Sequence, residues 1–442
     1  MRSRSAGRVP RARLFRGSAP ALALVLGASC GTAGGGSPPP APPPHPPEPV
    51  PTLAAEPTVR VGVAWGEVAI EVGGAGRWWI HEAGSSRPIA VVEPGETWRV
   101  VRLPFETTLR VERPDGWLSE PHAAPLAAAS LAGGGMSVRG TPYPGAFEFR
   151  AAADGSVTAV NVVPMEAYLE GVVARELGRP GAGAMDALKA QAVAARTYAL
   201  KRMGSRSALG FDVYGSVEDQ AYAGLPEPGD SLAVRAVGAT RGEALVWNGS
   251  LVEAFYHSTC GGHTARVEET FDLPPAPYLT AVSDEREDGT GYWCQESRYF
   301  RWTASWEGAQ LDATVRRNLP RLVPLPPEGA GELRNMELVA PTPEGRATAL
   351  RVETSTGRYL IGEDAIRRLF SDPEGRILRS TLFLFRPARE GGRLVGLTLV
   401  GGGWGHGVGM CQVGAMARAR AGQDYRHILE TYYNGASVTR VY

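Results

Sequence analysis

Residues 164–178, with the sequence PMEAYLEGVVARELG, decide the fold of this chain. Pro164 suits a first helical position, because its φ is already helical and its missing N–H would have no partner there. Gly178 is typical of the position just beyond the last turn, so the segment predicts a helix. Residues 185–203 (MDALKAQAVAARTYALKRM) are rich in strong helix formers and predict a second helix whose small side chains favour close packing.

Glu176 lies on the apolar face of the first predicted helix. Leu169, Val172 and Val173 stand seven, four and three residues before it, which puts all four side chains on one stripe. A carboxyl group among apolar side chains loses solvation, which raises its pKa and lets it hold a proton near neutrality. Glu176 is therefore a candidate general acid. Glu166 falls on another stripe, and we expect it to be solvated.

The sequence before these helices indicates a β-rich module. Between residues 58 and 142, short runs of alternating apolar and polar residues are separated by glycine, proline and aspartate at turn positions. The fold class that this predicts is α+β, with a β-rich N-terminal module at residues 58–142 and a second domain at residues 143–442.

The N-terminus has the pattern of an exported protein. Arginines precede an apolar run at residues 19–28, which is shorter than the about 20 residues of a spanning helix. The run closes in Leu-Gly-Ala-Ser-Cys30, which resembles a bacterial lipobox. Residues 1–30 are therefore predicted to be a signal peptide with Cys30 lipidated, the alternative being ordinary cleavage. Residues 31–57, rich in glycine and then proline, predict an extended linker between the membrane and the folded body.

The charge of the chain gives no support to a nucleic-acid partner. It has 46 basic and 46 acidic side chains and no net charge. Domains that bind nucleic acid by bulk electrostatics usually carry a strong basic excess.

The cysteines after Cys30 allow two kinds of site. In an exported protein, Cys260 and Cys294 are expected to form a disulfide, and Cys411 is expected to be a small buried residue. The alternative is a structural zinc site with His257, Cys260, His263 and Cys294 as its four ligands. A third hypothesis is a zinc hydrolase that uses His257 and Cys260. Apart from such a zinc ion, we expect no cofactor to be required.

Five collinear blocks resemble the SpoIID/LytB family of secreted bacterial peptidoglycan-associated proteins. The blocks extend over residues 143–442 and read NVVPMEAYLEGVVARELG, ALKAQAVAARTYALKRM, DVYGSVEDQAYAG, AVGATRGEALVWNGSLVEAFYHSTCGGHT and GGGWGHGVGMCQVGAMARARAGQDYRHILETYY. The resemblance implies a SpoIID-type lytic transglycosylase domain in the cell envelope, with Glu176 at the position of the family's catalytic glutamate.

Such an enzyme cleaves peptidoglycan glycan strands and leaves a 1,6-anhydro-muramic acid product. One carboxyl group then suffices, acting first as acid and then as base. Arg175 stands where the family commonly has a small residue, and it would lower the pKa of Glu176 if it turned toward it. The family name also covers amidase enhancers, so the alternative is a non-catalytic peptidoglycan-binding or amidase-stimulating protein with a cell-wall amidase as partner.

Polar residues of the matching blocks are the candidate substrate ligands. Alternate glycines in the last block permit close approach of a sugar to the backbone, and the spacing of a dinucleotide-binding loop is absent. Trp404 either stacks on a sugar ring or packs in the fold. The candidate ligands are Gln191, Arg196, Gln220, Tyr222, His257, Ser258, His406 and Gln412.

Overall fold

The first half of the folded chain consists mainly of β-strands. The computed structural model describes residues 52–131 and 133–442, so the predicted signal peptide, Cys30 and most of the linker lie outside the described residues. The strands are β1 (Thr58–Glu67), β2 (Ala69–Gly74), β3 (Trp78–Glu82), β4 (Pro88–Val92), β5 (Thr97–Val101), β6 (Arg110–Glu112), β7 (Leu126–Ser130), β8 (Met136–Val138), β9 (Thr141–Tyr143), β10 (Ala146–Ala151), β11 (Val157–Pro164) and β12 (Val213–Tyr214).

These strands form two sheets that cross the predicted domain boundary. A seven-stranded sheet has the order β12-β1-β11-β10-β7-β3-β4, and a five-stranded sheet has the order β6-β5-β2-β8-β9. β1 pairs antiparallel with β11, with Thr58 opposite Pro164. The boundary expected between residues 142 and 143 therefore falls inside β9, and the predicted N-terminal module shares its sheet with the following domain.

Both predicted helices are confirmed. α1 (Met165–Leu177) begins directly at the end of β11, so Pro164 precedes the first helical residue instead of occupying it. Gly178 closes the helix with a φ of 64°, a left-handed value that favours glycine. α2 (Met185–Arg202) follows, and α3 (Ser231–Ala239) packs against both.

α2 is buried on two opposite sides and lies between two hydrophobic cores. One side contributes to the core beneath the N-terminal sheets, and the other contributes to a core built with the C-terminal part of the chain. A helix that is apolar around its circumference belongs in the interior of a fold. The residues on the first side are Leu188, Ala192, Ala195 and Ala199, and those on the second are Ala187, Ala190, Val193 and Ala194.

The remaining elements complete the second core and form a separate lobe. The strands are β13 (Glu243–Trp247), β14 (Ser250–Leu251), β15 (Tyr256–His257), β16 (Trp302–Glu307), β17 (Leu333–Pro341), β18 (Ala347–Thr354), β19 (Arg358–Gly362), β20 (Phe383–Glu390), β21 (Arg393–Gly401), β22 (Met410–Cys411) and β23 (Ser437–Arg440). The helices are α4 (Gly308–Asn318), α5 (Ala365–Leu369), α6 (Gln412–Arg420) and α7 (Tyr425–Tyr432).

The lobe, residues 302–401, has its own core. Its sheets have the orders β16-β21-β20 and β17-β18-β19, and its buried side chains run from Trp302 to Leu399. Because β16 and β21 pair with Trp302 opposite Gly401, the chain enters and leaves the lobe side by side. With 23% of the residues helical and 34% in strands, the α+β class is confirmed. None of the helices in the described ranges has the length and apolarity needed to cross a bilayer.

Candidate functional site

Glu176 is held by residues from two other segments of the chain. Its Oε1 accepts a hydrogen bond from the backbone N–H of Ala221 at 2.9 Å, and its Oε2 accepts one from Gln412 Nε2 at 3.2 Å. The same Gln412 nitrogen lies 3.4 Å from Gln191 Oε1. The side chain of Glu176 is only partly buried, so the carboxyl group is oriented without being sealed off from solvent.

Burial is the main influence on the pKa of Glu176, and it raises that pKa. The hydrogen bonds from Ala221 and Gln412 and the charge of Arg175 act in the opposite direction, with smaller effects. Arg175 itself is exposed, so water screens its charge. The carboxyl group therefore keeps its proton to a higher pH than an ordinary glutamate, as a general acid requires.

Gln412 reaches Glu176 because two short strands pair across the molecule. β22 runs parallel to β15, with Cys411 opposite His257, and α6 begins at Gln412 immediately afterwards. The N–H of Val413 donates to the carbonyl of Ser258 at 3.0 Å, which fixes Ser258 beside the first turn of α6. The side chain of Ser258 is partly exposed, so this candidate ligand remains accessible.

A glycine in α1 allows the loop that contains Ala221 to approach Glu176. A Cβ atom at Gly171 would lie 2.2 Å from the carbonyl oxygen of Gly224 and 2.8 Å from the ring of Tyr222. Any larger residue at this position would push the loop away from the helix. Gly171 is therefore part of the structure that aims the Ala221 amide at the carboxyl group.

Two of the predicted substrate ligands are parts of a buried framework instead. Gln220 accepts from Tyr168 Oη at 2.9 Å and donates to Tyr256 Oη at 3.0 Å, while Tyr222 Oη donates to Asn161 Oδ1 at 2.9 Å. Gln220 is fully buried and Tyr222 nearly so. Their polar groups are already satisfied inside the protein, so the expectation of direct sugar contacts is not met.

Arg196 and Glu166 form a buried ion pair, which corrects both expectations about them. Arg196 Nε and Nη2 donate to the two oxygens of Glu166 at 2.9 and 2.6 Å, and Tyr442 Oη donates to the same carboxylate at 2.5 Å. Arg196 is fully buried and Glu166 is 6% exposed. The stripe of α1 that carries Glu166 faces α2 and the C-terminus, not solvent, and this leaves Arg196 unable to contact a substrate.

The two histidines expected in the cleft are bound to backbone atoms. His406 Nε2 donates to the carbonyl of Tyr256 at 2.9 Å, and its Nδ1 accepts from the N–H of Val408 at 3.1 Å, so the ring has no free N–H for a sugar. Burial lowers the pKa of His406 to about 4. His257 Nδ1 donates to the carbonyl of Val408 at 3.1 Å, and its buried Nε2 has no partner among the described residues. Burial and the neighbouring His406 hold the pKa of His257 well below its usual value.

The cysteines are arranged differently from both predictions. The Sγ atoms of Cys260 and Cys294 lie 3.4 Å apart, whereas a disulfide bond is about 2.05 Å long, so the preferred disulfide is not formed. The expected ligand set with His257 and His263 is not assembled either. Instead, among the described residues, the ligand atoms of Cys260, Asp284, Cys294 and Cys411 all lie within 4.8 Å of one another.

Two groups near Glu176, Tyr256 and the Ala221 amide, and one group in the cysteine cluster, Asp284, were not found from the sequence. The phenol of Tyr256 is buried, and the negative charge of Glu176 contributes to raising its pKa. The Ala221 amide leaves no sequence signal, because every non-proline residue has an N–H. Asp284 lies in the polar run SDERED and has no feature that separates it from surface acids.

Trp404 is the exposed aromatic side chain of the glycine-rich block. It is 39% exposed, and its ring meets that of Tyr299 edge-on with centroids 3.8 Å apart. Surface depressions of about 310 and 490 Å³ lie elsewhere, one lined by Thr97 and Leu225 and the other by Phe385 within the lobe. Glu176 therefore does not line either depression.

Two family models match parts of this chain. The model of the stage II sporulation protein family SpoIID matches residues 153–247, which contain α1, α2 and Ala221. A domain of unknown function (DUF8618) matches residues 285–409, which include most of the lobe.

Similar proteins come from spirochaetes and bacilli. An uncharacterised protein of Brachyspira hyodysenteriae is 30% identical over 69% of this chain and 74% of its own length. The stage II sporulation protein D of Bacillus subtilis is 29% identical over 64% of this chain and 76% of its own length. The amidase enhancer of Bacillus subtilis is 29% identical over 61% of this chain, and the match covers 40% of that relative.

Proposed function

Because this chain belongs to the SpoIID/LytB family, whose members have cell-wall functions, we propose that it is a peptidoglycan lytic transglycosylase with Glu176 as its acid and base. The observation that carries the proposal is the state of the Glu176 carboxyl group. It is partly exposed, its pKa is raised by burial, and both of its oxygens are oriented by donors from distant segments.

The proposed reaction needs one proton donor and no water. Protonated Glu176 donates its proton to the oxygen that links muramic acid C1 to the next sugar, and the C1–O bond breaks. The carboxylate then takes the proton of the muramic acid C6 hydroxyl while O6 bonds to C1. The products are a strand with a 1,6-anhydro end and a strand with a free sugar hydroxyl, and Glu176 is protonated again.

Ala221 and Gln412 have a clear role in this cycle. Both donate to the carboxyl oxygens, and such hydrogen bonds favour the ionised form. They therefore stabilise the carboxylate that exists between the two proton transfers. Burial acts the other way and raises the pKa of Glu176, which favours the carboxylate taking up the proton of the C6 hydroxyl in the second step.

A second candidate function is stimulation of a cell-wall amidase without catalysis. The similarity to the amidase enhancer of Bacillus subtilis supports it, because this relative matches about as well as the sporulation protein does. A protein with this function would bind peptidoglycan and a cell-wall amidase, and it would have no need of an ionisable group at residue 176.

Product analysis distinguishes the two functions. A form of the chain that begins at residue 47 is incubated with glycan strands with and without stem peptides, and the released ends are identified by mass spectrometry. We expect 1,6-anhydro-muramic acid ends from the wild type and a rate about 10²–10⁴-fold lower from Glu176→Gln. The matched control is Glu170→Gln, the same change on the same helix. If the folded wild type binds strands but releases nothing, and instead accelerates an added amidase, the second function is correct.

We also propose that the protein is exported and held at the membrane through Cys30. The cell-wall functions of the family and the lipobox-like sequence support this proposal. Two acyl signals or more give stable anchoring. Cys30→Ser is expected to move the exported protein from the membrane fraction to the soluble fraction, and an unchanged distribution would contradict the anchor.

A further inference from the structure

We propose that Cys260, Asp284, Cys294 and Cys411 bind one structural zinc ion. All four residues are buried, and their ligand atoms lie within 4.8 Å of one another. Three thiolates and a carboxylate are a donor set that suits tetrahedral zinc. The proposal concerns the stability and shape of the fold, and it does not depend on the reaction assigned to Glu176.

The distances within the cluster fit a metal better than a disulfide. Zn–S and Zn–O bonds of about 2.3 and 2.0 Å in a tetrahedron place the ligand atoms about 3.5–3.8 Å from one another. The Cys260 Sγ atom lies 3.4 Å from Cys294 Sγ and 3.5 Å from Asp284 Oδ2. A disulfide would use only two of the four residues and would leave Cys411 and a buried carboxyl group beside it.

Backbone N–H groups point at the sulfur atoms. Cys411 Sγ accepts from the N–H of Cys260 at 3.3 Å and from that of Gly414 at 3.4 Å. Cys260 Sγ accepts from the N–H of Gly262 at 3.4 Å. Donors of this kind favour a charged acceptor, so the surroundings suit thiolates, the form in which cysteine binds a metal.

The carboxyl group of Asp284 is oriented as a metal ligand needs to be. Its Oδ1 accepts from Tyr432 Oη at 2.7 Å and lies 3.6 Å from Arg418 Nη2. Its Oδ2 accepts from the backbone N–H of Cys294 at 3.1 Å and lies 3.5 Å from Cys260 Sγ. Metal ligands are commonly fixed in this way by a second layer of hydrogen bonds. Both oxygens are therefore oriented by donors, and Oδ2 has a second lone pair that can face the ion.

The charges around the cluster favour a divalent cation. Three thiolates and one carboxylate carry four negative charges, and a buried charge is costly unless it is paired. Zinc would supply two positive charges. Arg418, beside Asp284, and Arg346, whose Nη2 donates to the carbonyl of Cys260 at 3.0 Å, are buried cations at the same place. Together they balance the ligands.

The proposed ion would join three segments that are far apart in sequence. Cys260 follows β15, Asp284 and Cys294 lie in the connection to the lobe, and Cys411 ends β22 immediately before Gln412. Four protein ligands leave no position for a reactive water, so the ion would be structural. Because its ligand Cys411 directly precedes Gln412, the ion would hold Gln412 in the position from which it donates to Glu176.

The direct test is metal analysis of the full chain, with Cys30→Ser introduced to remove the extra thiol. The protein is purified after growth with zinc, its metals are quantified by mass spectrometry, and zinc K-edge X-ray absorption gives the ligand shell. We expect about one zinc per chain, with three sulfur atoms near 2.3 Å and one oxygen near 2.0 Å. A shell of two sulfur and two nitrogen atoms, or copper in place of zinc, would overturn the proposal.

Variants supply an independent measurement. Cys411→Ala is expected to weaken zinc binding by more than the about 10–100-fold that changes around a metal's ligands cost. His263→Ala, which removes a histidine of the earlier expected set and leaves all four proposed ligands, is the control and should retain zinc. If peptide mapping instead finds a Cys260–Cys294 disulfide and the wild type holds no metal, the site does not exist. The X-ray measurement on the wild type decides the question even if Cys411→Ala fails to fold.

Discussion

Glu176 makes the stability of the protein depend on pH in a defined direction. Burial raises the pKa of its carboxyl group, so the folded protein holds this proton more tightly than the unfolded chain does. Well below the unfolded pKa of about 4.3, Glu176 is protonated in both the folded and the unfolded state, so its ionisation does not change the free energy of unfolding. As the pH rises through the folded pKa, the carboxyl group ionises in a poorly solvated place and destabilises the fold.

We therefore predict that Glu176→Gln stabilises the protein at pH 7. The difference in unfolding free energy between the variant and the wild type should shrink as the pH is lowered toward 4, because the neutral amide then replaces a neutral acid. Urea unfolding at several pH values measures this difference. The same substitution at the exposed Glu430 is the control. A gain that does not depend on pH would show that packing, and not ionisation, causes it.

Arg196 permits a second prediction about single residues. Arg196→Met leaves Glu166 buried without its charged partner, and breaking one side of a buried pair costs about 3–5 kcal/mol. Arg179→Met removes an exposed arginine that pairs with Glu227 and Asp230, and such surface pairs contribute little because water screens them. Chemical unfolding of both variants gives the two free energies. Equal losses would contradict the assignment of Arg196 to the framework.

The residues that could be predicted are those whose role follows from helical periodicity. Glu176 was identified because its apolar stripe is visible in the sequence and its motif resembles a known one. Glu166 lies on another stripe, and periodicity does not say whether a second stripe meets water or a neighbouring helix. Asp284 could not be identified, because only the fold brings it to three cysteines.

At the scale of elements, the contact between α1 and the loop around Ala221 depends on one missing side chain. Gly171→Ala would place a methyl group 2.2 Å from the carbonyl oxygen of Gly224, and such overpacking costs about 1–3 kcal/mol. We expect the Ala221 amide to move away from Glu176. The rate of glycan cleavage should therefore fall by more than the loss of folded protein can explain. Product release and thermal unfolding, measured on the same samples, test this.

α3 offers a matched glycine. Gly238 is exposed, and an added Cβ would meet nothing within 4 Å. Gly238→Ala should therefore stabilise the protein by up to about 1 kcal/mol, as expected for alanine in place of glycine in an exposed helix interior, and leave cleavage unchanged. If both glycine variants behave alike, the close approach at Gly171 is not what positions the loop.

The helices were predictable and the strand partners were not. The ends of α1 and α2 follow from local signals, the proline before and the glycine after α1 and the helix formers of α2. The pairing of β1 with β11 joins residues about a hundred positions apart and leaves no local trace. For this reason the sequence suggested a separate N-terminal module, whereas the seven-stranded sheet of the structure continues from this region into the following domain.

At the scale of the whole molecule, α2 couples two of the three cores found among residues 52–131 and 133–442, and the lobe contains the third. Leu188 on α2 belongs to the first core, while Ala187, its neighbour, belongs to the second. Every buried side chain of the third core lies between Trp302 and Leu399. Proteins open locally in cooperative units, so the lobe, which has its own core, is expected to open as a unit distinct from the body, to which Arg346 connects it through the carbonyls of Cys260 and His263.

Two core substitutions of the same kind test this division. Leu350→Ala in the lobe and Leu188→Ala in α2 each remove a fully buried leucine, a change that costs about 2–5 kcal/mol. Hydrogen exchange followed by mass spectrometry locates the loss. We expect Leu350→Ala to accelerate exchange mainly within residues 302–401 and to leave glycan cleavage intact, because the groups that donate hydrogen bonds to Glu176 lie outside the lobe. Leu188→Ala should accelerate exchange in both cores that α2 joins. If Leu350→Ala accelerated exchange throughout the chain, the lobe and the body would be one cooperative unit, and the side-by-side entry of β16 and β21 would transmit stability between them.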